Sequence, residues 1–195
     1  FGVNEGDKIG IIAKNGTGKT TLLKILCNKE DYDSGNVTYR KDANVGFLEQ
    51  IPDLNPNQTV FEVCQSGYNK EKEEEWSFEN RIKQTLSQLK ITNFNQPVSE
   101  LSGGQIKRVA LAKLILDNCE LLILDEPTNH LDSDMTEWLE EYLNKYKGAF
   151  IMITHDRYFL DRVTNKIVEL DKGKLYSYQT NYSGFIALKA EREEM

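Results

Sequence analysis

Short apolar runs alternate with amphipathic stretches along most of this chain. Lys8-Ile9-Gly10-Ile11-Ile12-Ala13, Val37-Thr38-Tyr39 and Val45-Gly46-Phe47-Leu48 read as short strands. Leu121-Leu122-Ile123-Leu124 and the run from Ala149 to Ile153 are continuously apolar, the pattern of strands covered on both faces. Leu22, Leu23, Ile25 and Leu26 mark an amphipathic helix, and Ile106, Val109, Ala110 and Ile115 mark another. Met135, Trp138, Leu139, Tyr142, Leu143 and Tyr146 share one face of a third, with Ser133 placed to cap it. That aromatic stripe reads as core rather than as a binding face. Near the end, Ile167 to Leu170 and Leu175 to Tyr178 flank a turn containing Gly173, which predicts a hairpin. Strands alternating with helices predict an α/β fold with a mostly parallel core sheet.

The character changes over residues 55–100. Ile82, Leu86 and Leu89 repeat at i, i+4 and i+7, a helical stripe, and the charge run from Lys70 to Glu75 reads as a solvated face. No strand pattern occurs there, so the stretch predicts an inserted helical lobe that continues into the helix after Leu101. The expected division is a core lobe of residues 1–54 and 101–182, a helical lobe of 55–100, and the start of a charged linker helix at 183–195.

Composition narrows the class. With 39% hydrophobic and 28% charged residues, the chain can bury a core and keep a polar surface. No apolar run approaches the ~20 residues of a membrane helix, and no signal-peptide pattern follows Phe1, so a cytoplasmic location is expected. Cys27, Cys64 and Cys119 lie far apart with no metal-ligand spacing and read as reduced structural thiols. The net charge of −7 argues against a broad nucleic-acid-binding surface. The chain opens at Phe1-Gly2-Val3 and stops within a charged, helix-prone stretch, so it reads as a piece of a longer protein.

Three segments carry candidate chemistry. Ala13-Lys14-Asn15-Gly16-Thr17-Gly18-Lys19-Thr20, running on into Thr21, joins a strand to a helix. Glycines there let backbone N–H groups surround a phosphate, and the helix N-terminus adds positive potential. Lys19 can reach β- and γ-phosphates, and the Thr20 hydroxyl can ligate Mg²⁺. Ala13 stands where the strict pattern has glycine; its methyl is cheap only if its φ is negative. Next, the apolar strand from Leu121 ends in Asp125-Glu126, at the edge where ligands bind in open α/β sheets. Asp125 would hold Mg²⁺ through water and Glu126 would polarise an attacking water. Finally, Leu101-Ser102-Gly103-Gly104-Gln105 opens a helix and forms a second anion-binding start. Taken singly, each has a plainer reading: a connecting turn, capping acids, an ordinary N-cap.

In this order, with Leu121 to Asp132 and Ile153 to Asp161, the segments resemble an ABC ATPase domain along essentially the whole chain. The resemblance implies further roles. Gln50 matches the Q-loop glutamine that senses Mg²⁺ and water. His155 matches the switch histidine that contacts the γ-phosphate. Asn129-His130-Leu131-Asp132 matches the D-loop, with His130 a packing residue. In the family Ser102, Gly103, Gly104 and Gln105 cap the ATP of a partner domain, so a second ATPase domain and two ATPs at a closed interface are implied. The Asn129-His130-Leu131-Asp132 and His155-Asp156-Arg157-Tyr158-Phe159-Leu160-Asp161 sequences look most like the first ATPase domain of the ABC-F group, whose members act on ribosomes. That makes a ribosomal partner an expectation, with no direct membrane insertion. The alternative is the ATP-binding subunit of a membrane transporter. A chromosome-maintenance ATPase fits less well, because coiled coils there separate the two halves. An upstream strand and an adenine-stacking aromatic, usual in the family, fall before Phe1, which implies weak ATP binding and poor turnover by this piece alone.

Overall fold

The apolar runs form a six-stranded sheet in the computed structural model, which describes residues 1–14 and 18–195. Asn15, Gly16 and Thr17, expected in the phosphate loop, lie outside the described residues. The strands are β1 (Lys8–Ala13), β2 (Val45–Leu48), β3 (Leu121–Asp125), β4 (Ala149–Ile153), β5 (Lys166–Asp171) and β6 (Lys174–Tyr178). Their order is β2-β3-β4-β1-β5-β6, with every neighbouring pair parallel except the β5–β6 hairpin. Gly173 turns that hairpin with a φ of 75°, a conformation that costs glycine little.

Alternation along the central strands divides the apolar side chains between two layers. Ile9, Ile11, Ile123, Ile151, Ile153 and Val168 pack with Leu23 of helix α1 (Lys19–Leu26). The intervening Leu122, Leu124, Phe150 and Met152 pack on the opposite side with the remaining helices. Those helices are α2 (Val60–Gln65), α3 (Glu75–Gln88), α4 (Gly103–Leu116), α5 (Ser133–Lys145), α6 (Arg157–Val163) and α7 (Tyr182–Glu194). Parallel strands with helices on both faces constitute the expected α/β architecture.

Residues 55–100 carry α2, α3 and a 3-10 turn at Val98–Glu100, joined by loops. The stripe Phe78, Ile82 and Leu86 is buried, and it joins the same apolar cluster as Leu48 and Phe150. Helix α2 has no counterpart in the sequence reading. Thr59 caps it, accepting from the Glu62 N–H while the Glu62 carboxylate accepts from the Thr59 N–H.

Two local expectations are corrected. Val37-Thr38-Tyr39 is not a strand: no neighbour pairs with it among the described residues, so its alternation has no ladder to join. Ser133 is the first residue of α5, and Asp132 is its cap, accepting from the Met135 N–H at 2.9 Å. A carboxylate at the positive end of a helix is the stronger acceptor. The aromatic stripe of α5 does pack on the core: Trp138 stacks on Tyr142, and Tyr142 on Tyr146. All three cysteines are free thiols, with Cys64 and Cys119 buried.

Candidate functional site

The parallel strands end on one edge of the sheet, and the segments leaving β1, β2, β3 and β4 deliver residues to a common cavity of about 450 Å³. Lys19, Thr20 and Thr21 line it from the start of α1, Asp125 and Glu126 from the end of β3, Gln50 from just beyond β2, and His155 from just beyond β4. Gly18 and Asn129 complete the polar lining. Sequence positions from Gly18 to His155 therefore meet because the β-strands are in register, not because they are near in the chain.

The start of α1 follows from backbone geometry. Gly18, with a φ of 83°, takes the N-cap position. A helix start leaves its first N–H groups without intrahelical partners, a ready site for an anion. Ala13 closes β1 and pairs with Leu170 in an extended conformation. It is not among the positive-φ residues, so the methyl meets no left-handed penalty at Ala13 itself. Lys14 follows on the exposed surface. The Lys19 ammonium donates to the Ala13 carbonyl at 3.0 Å.

Asp125 and Glu126 sit in contrasting surroundings. Asp125 is 1% exposed, and burial pushes its carboxyl above the ordinary range, against a hydrogen bond from Thr20 and the charges of Lys107, Lys24 and Lys19. Its Oδ1 is buried with no hydrogen-bond partner among the described residues. Glu126 takes a φ of 49°, left-handed, which costs a non-glycine residue roughly 1–2 kcal/mol. Its N–H donates to the Ile153 carbonyl at 2.8 Å, and its carbonyl accepts from the Asn129 N–H, so the surrounding chain imposes the conformation. Strained backbone of this kind gathers at functional sites. The Glu126 side chain lies 3.3 Å from His155 Nε2 and accepts from the His155 N–H at 3.4 Å. His155 is mostly exposed, held between the end of β4 and the Asp156 cap of α6.

Ser102, Gly103, Gly104 and Gln105 do not line this cavity. They form the N-terminus of α4, where Ser102 Oγ accepts from the Gln105 N–H and Gln105 Oε1 accepts from the Ser102 N–H. Gly104 abuts the D-loop: a Cβ there would lie 2.9 Å from the His130 carbonyl. A Cβ on Gly103 would meet nothing within 4 Å.

One residue of the site was expected only as part of the D-loop, and one was missed in the sequence. Asn129 lines the cavity from the D-loop. Lys107, on α4, is fully buried, and its ammonium donates to the carbonyls of Glu49 and Gln50. Burial lowers its pKa to about 8, against the attraction of Asp125 and Glu126. The available signal was positional: Lys107 shares a helical face with Ala110, Leu111 and Leu114, the face α4 buries.

With this geometry in view, comparison with known proteins is decisive. The ABC transporter family profile matches residues 1–129. The chain belongs to the ABC ATPase family. It is 42% identical, over 99% of its length, to the uncharacterized ABC transporter ATP-binding protein YfmR of Bacillus subtilis, and covers 36% of that protein. It is 38% identical, over 96% of its length, to the energy-dependent translational throttle protein EttA of Mycobacterium tuberculosis, and covers 40% of it. This ABC ATPase domain thus spans well under half the length of those curated relatives. Among solved structures, it covers 81% of an ABC transporter ATP-binding subunit with a TM-score of 0.83 and 22% identity, a likeness of fold. That match takes in 92% of the present chain. It also matches an archaeal ribosome recycling factor, solved with a ribosomal stalk protein, at a TM-score of 0.70 and 26% identity. There the match covers 90% of this chain and 34% of that one. No helix among the described residues is long and apolar enough to cross a membrane.

Proposed function

We propose that this domain binds ATP with Mg²⁺ and hydrolyses it as one half of a paired site, in a cytoplasmic ABC-F protein that acts on the ribosome. The observation that carries the ATPase reading is the convergence of Lys19, Thr20, Gln50, Asp125, Glu126 and His155 on one cavity. The phosphate loop from Ala13 to Thr21 cradles the polyphosphate, with Lys19 as its point charge. Glu126 orients and polarises the attacking water, and His155 lies within reach of the same position to contact the γ-phosphate. Gln50 positions water beside the metal.

The residues fit Mg²⁺. The unpartnered Asp125 Oδ1, next to the Thr20 hydroxyl, is an oxygen donor with nothing else to satisfy it. Mg²⁺ takes one or two protein oxygens and keeps waters and phosphate oxygens for the rest. When bound it neutralises charge on the phosphates.

The signature segment, from Ser102 to Gln105, lies away from this cavity, which supports its use on the ATP of a second ATPase domain. Two such half-sites closing on two ATPs would make ATP binding hold the pair together and hydrolysis release it. A single half-site is an incomplete enzyme, so the domain alone should turn over slowly. Similarity to EttA supports the ribosomal reading; the fold likeness to a transporter subunit keeps membrane transport as the alternative. On the same reading, residues 1–54 and 101–182 act as the core lobe, 55–100 as the helical lobe and 183–195 as the start of a linker.

The site is tested by Glu126→Gln in the full-length protein. ATP affinity should stay within about threefold while turnover drops by about 10²-fold or more, the scale of general-base catalysis. Turnover surviving within a few-fold would remove Glu126 from the role. Co-sedimentation of that ATP-trapped variant with ribosomes tests the partner. Membrane subunits co-purifying in place of ribosomes would transfer the domain to the transporter reading.

A further inference from the structure

Lys107 lies on α4, less than two turns after the signature segment, and is fully buried. A buried ammonium is costly unless its donors are matched. No carboxylate forms a direct ion pair with it among the described residues. Its acceptors are instead three backbone carbonyls: Glu49 at 3.1 Å, Gln50 at 3.1 Å and Asp125 at 3.5 Å. The first two belong to the segment leaving β2 that carries Gln50. The third joins Asp125 to Glu126. One side chain therefore fastens helix α4 to two of the backbone segments that present the cavity's polar groups, those of Gln50 and of Asp125–Glu126.

Packing alone does not require a lysine at this place. Methionine has a similar length and would fill the same space among Ala110, Leu111 and Leu114, but it would leave three inward carbonyls unsatisfied. The three donors of an ammonium match those three acceptors, and its charge complements Asp125 and Glu126 nearby.

We propose that Lys107 is a positioning residue for hydrolysis, locking the Gln50 and Asp125–Glu126 backbones to the helix whose N-terminus is the signature segment. This rests on the ATPase reading above and deepens it. The signature end of α4 serves one ATP site while Gln50 serves the other, so Lys107 makes a displacement of either one felt by both.

The test uses the full-length protein with Lys107→Met and Lys107→Gln, measuring ATP affinity, kcat, the Mg²⁺ dependence of turnover and thermal unfolding. Supporting groups of this kind typically change activity by about 10- to 100-fold when removed. The expected result is a fall in kcat of that size and a higher Mg²⁺ requirement, with ATP affinity within about threefold and Lys107→Gln intermediate. A kcat unchanged in folded Lys107→Met overturns the proposal. So does a loss of ATP binding in proportion to lost stability, which would make Lys107 a structural plug. If neither variant folds, hydrogen exchange on the unaltered protein decides. Adding ATP and Mg²⁺ should change protection at residues 48–52 and 107–114 together, and a change confined to 48–52 overturns the linkage. Failure of Glu126→Gln to block turnover would instead refute the ATPase assignment, a separate outcome.

Discussion

At the scale of single residues, Ala13 shows how a sequence can pose a question that only geometry answers. The residue departs from the glycine of the strict phosphate-loop pattern, and composition says nothing about its φ. In the fold it is the last residue of a strand, paired with Leu170. Ala13→Gly should therefore bring no gain: ATP affinity stays within about twofold, and stability falls by about 0.5–1 kcal/mol, the cost of glycine's extra freedom in an ordered strand. Denaturant unfolding and calorimetry check both. Tighter binding would mean that the methyl does strain the loop. The thiols make a second residue-scale case. Burial raises the Cys64 pKa from 9.0 to about 12 and those of Cys27 and Cys119 to about 11. Thiolate is the reactive form, so alkylation at pH 8 should be about 100-fold slower at Cys27 and Cys119 than for a free thiol and slower still at Cys64, accelerating as pH rises. Because the unfolded chain loses these protons first, stability should fall as pH rises from 9 toward 12. Rapid labelling of the native protein at pH 8 would contradict this assignment.

Among elements, the best-read pieces were those whose burial is complete. β3 and β4 stood out because strands covered on both faces are continuously apolar, and the hairpin stood out because Gly173 must turn it. Val37-Thr38-Tyr39 was misread because alternation reports a half-buried backbone, not the presence of a pairing neighbour. Helix α2 was invisible because six residues hold too little of a helical period. Lys107 was passed over because a lysine between apolar positions looks like the solvated edge of a helix until its carbonyl acceptors, distant in sequence, are placed. The docking of α7 had no sequence signal either. Glu169 of β5 is nearly buried and holds both Lys189 at 2.6 Å and Arg192 at 3.0 Å, with Arg192 also over the Tyr176 ring. β5 has no visible reason to keep an acid inside until α7 supplies the cations. Glu169→Ala should free α7 from the sheet, seen as faster tryptic cleavage after Lys189 and Arg192 with Arg81 and Lys83 of α3 still protected. Unchanged cleavage would show that Phe185 and the Ser183–Asp161 hydrogen bond hold the helix without Glu169.

On the scale of the whole molecule, the signature segment is where the domain's own needs can be told apart from those of the proposed partner. Gly103 and Gly104 are adjacent glycines in one helix start, yet their surroundings differ. A side chain at Gly104 meets the His130 carbonyl within the same chain, so Gly104→Ala should destabilise the domain itself by displacing the D-loop. A side chain at Gly103 meets open space, and its backbone is helical without positive φ. Alanine there should leave the fold intact or stabilise it by up to about 1 kcal/mol, the helix preference of alanine over glycine. Nothing among the described residues then accounts for an activity defect in Gly103→Ala, so a defect points to a group approaching from outside. The paired-site reading expects thermal stability equal to or above that of the unaltered protein, ATP binding at the Lys19 cavity unchanged, and turnover of the full-length protein reduced by about 10-fold or more as a close backbone donor is pushed off the transferring phosphate. Full turnover in Gly103→Ala would mean that no second nucleotide approaches this helix, and that the cavity from Lys19 to His155 works without one.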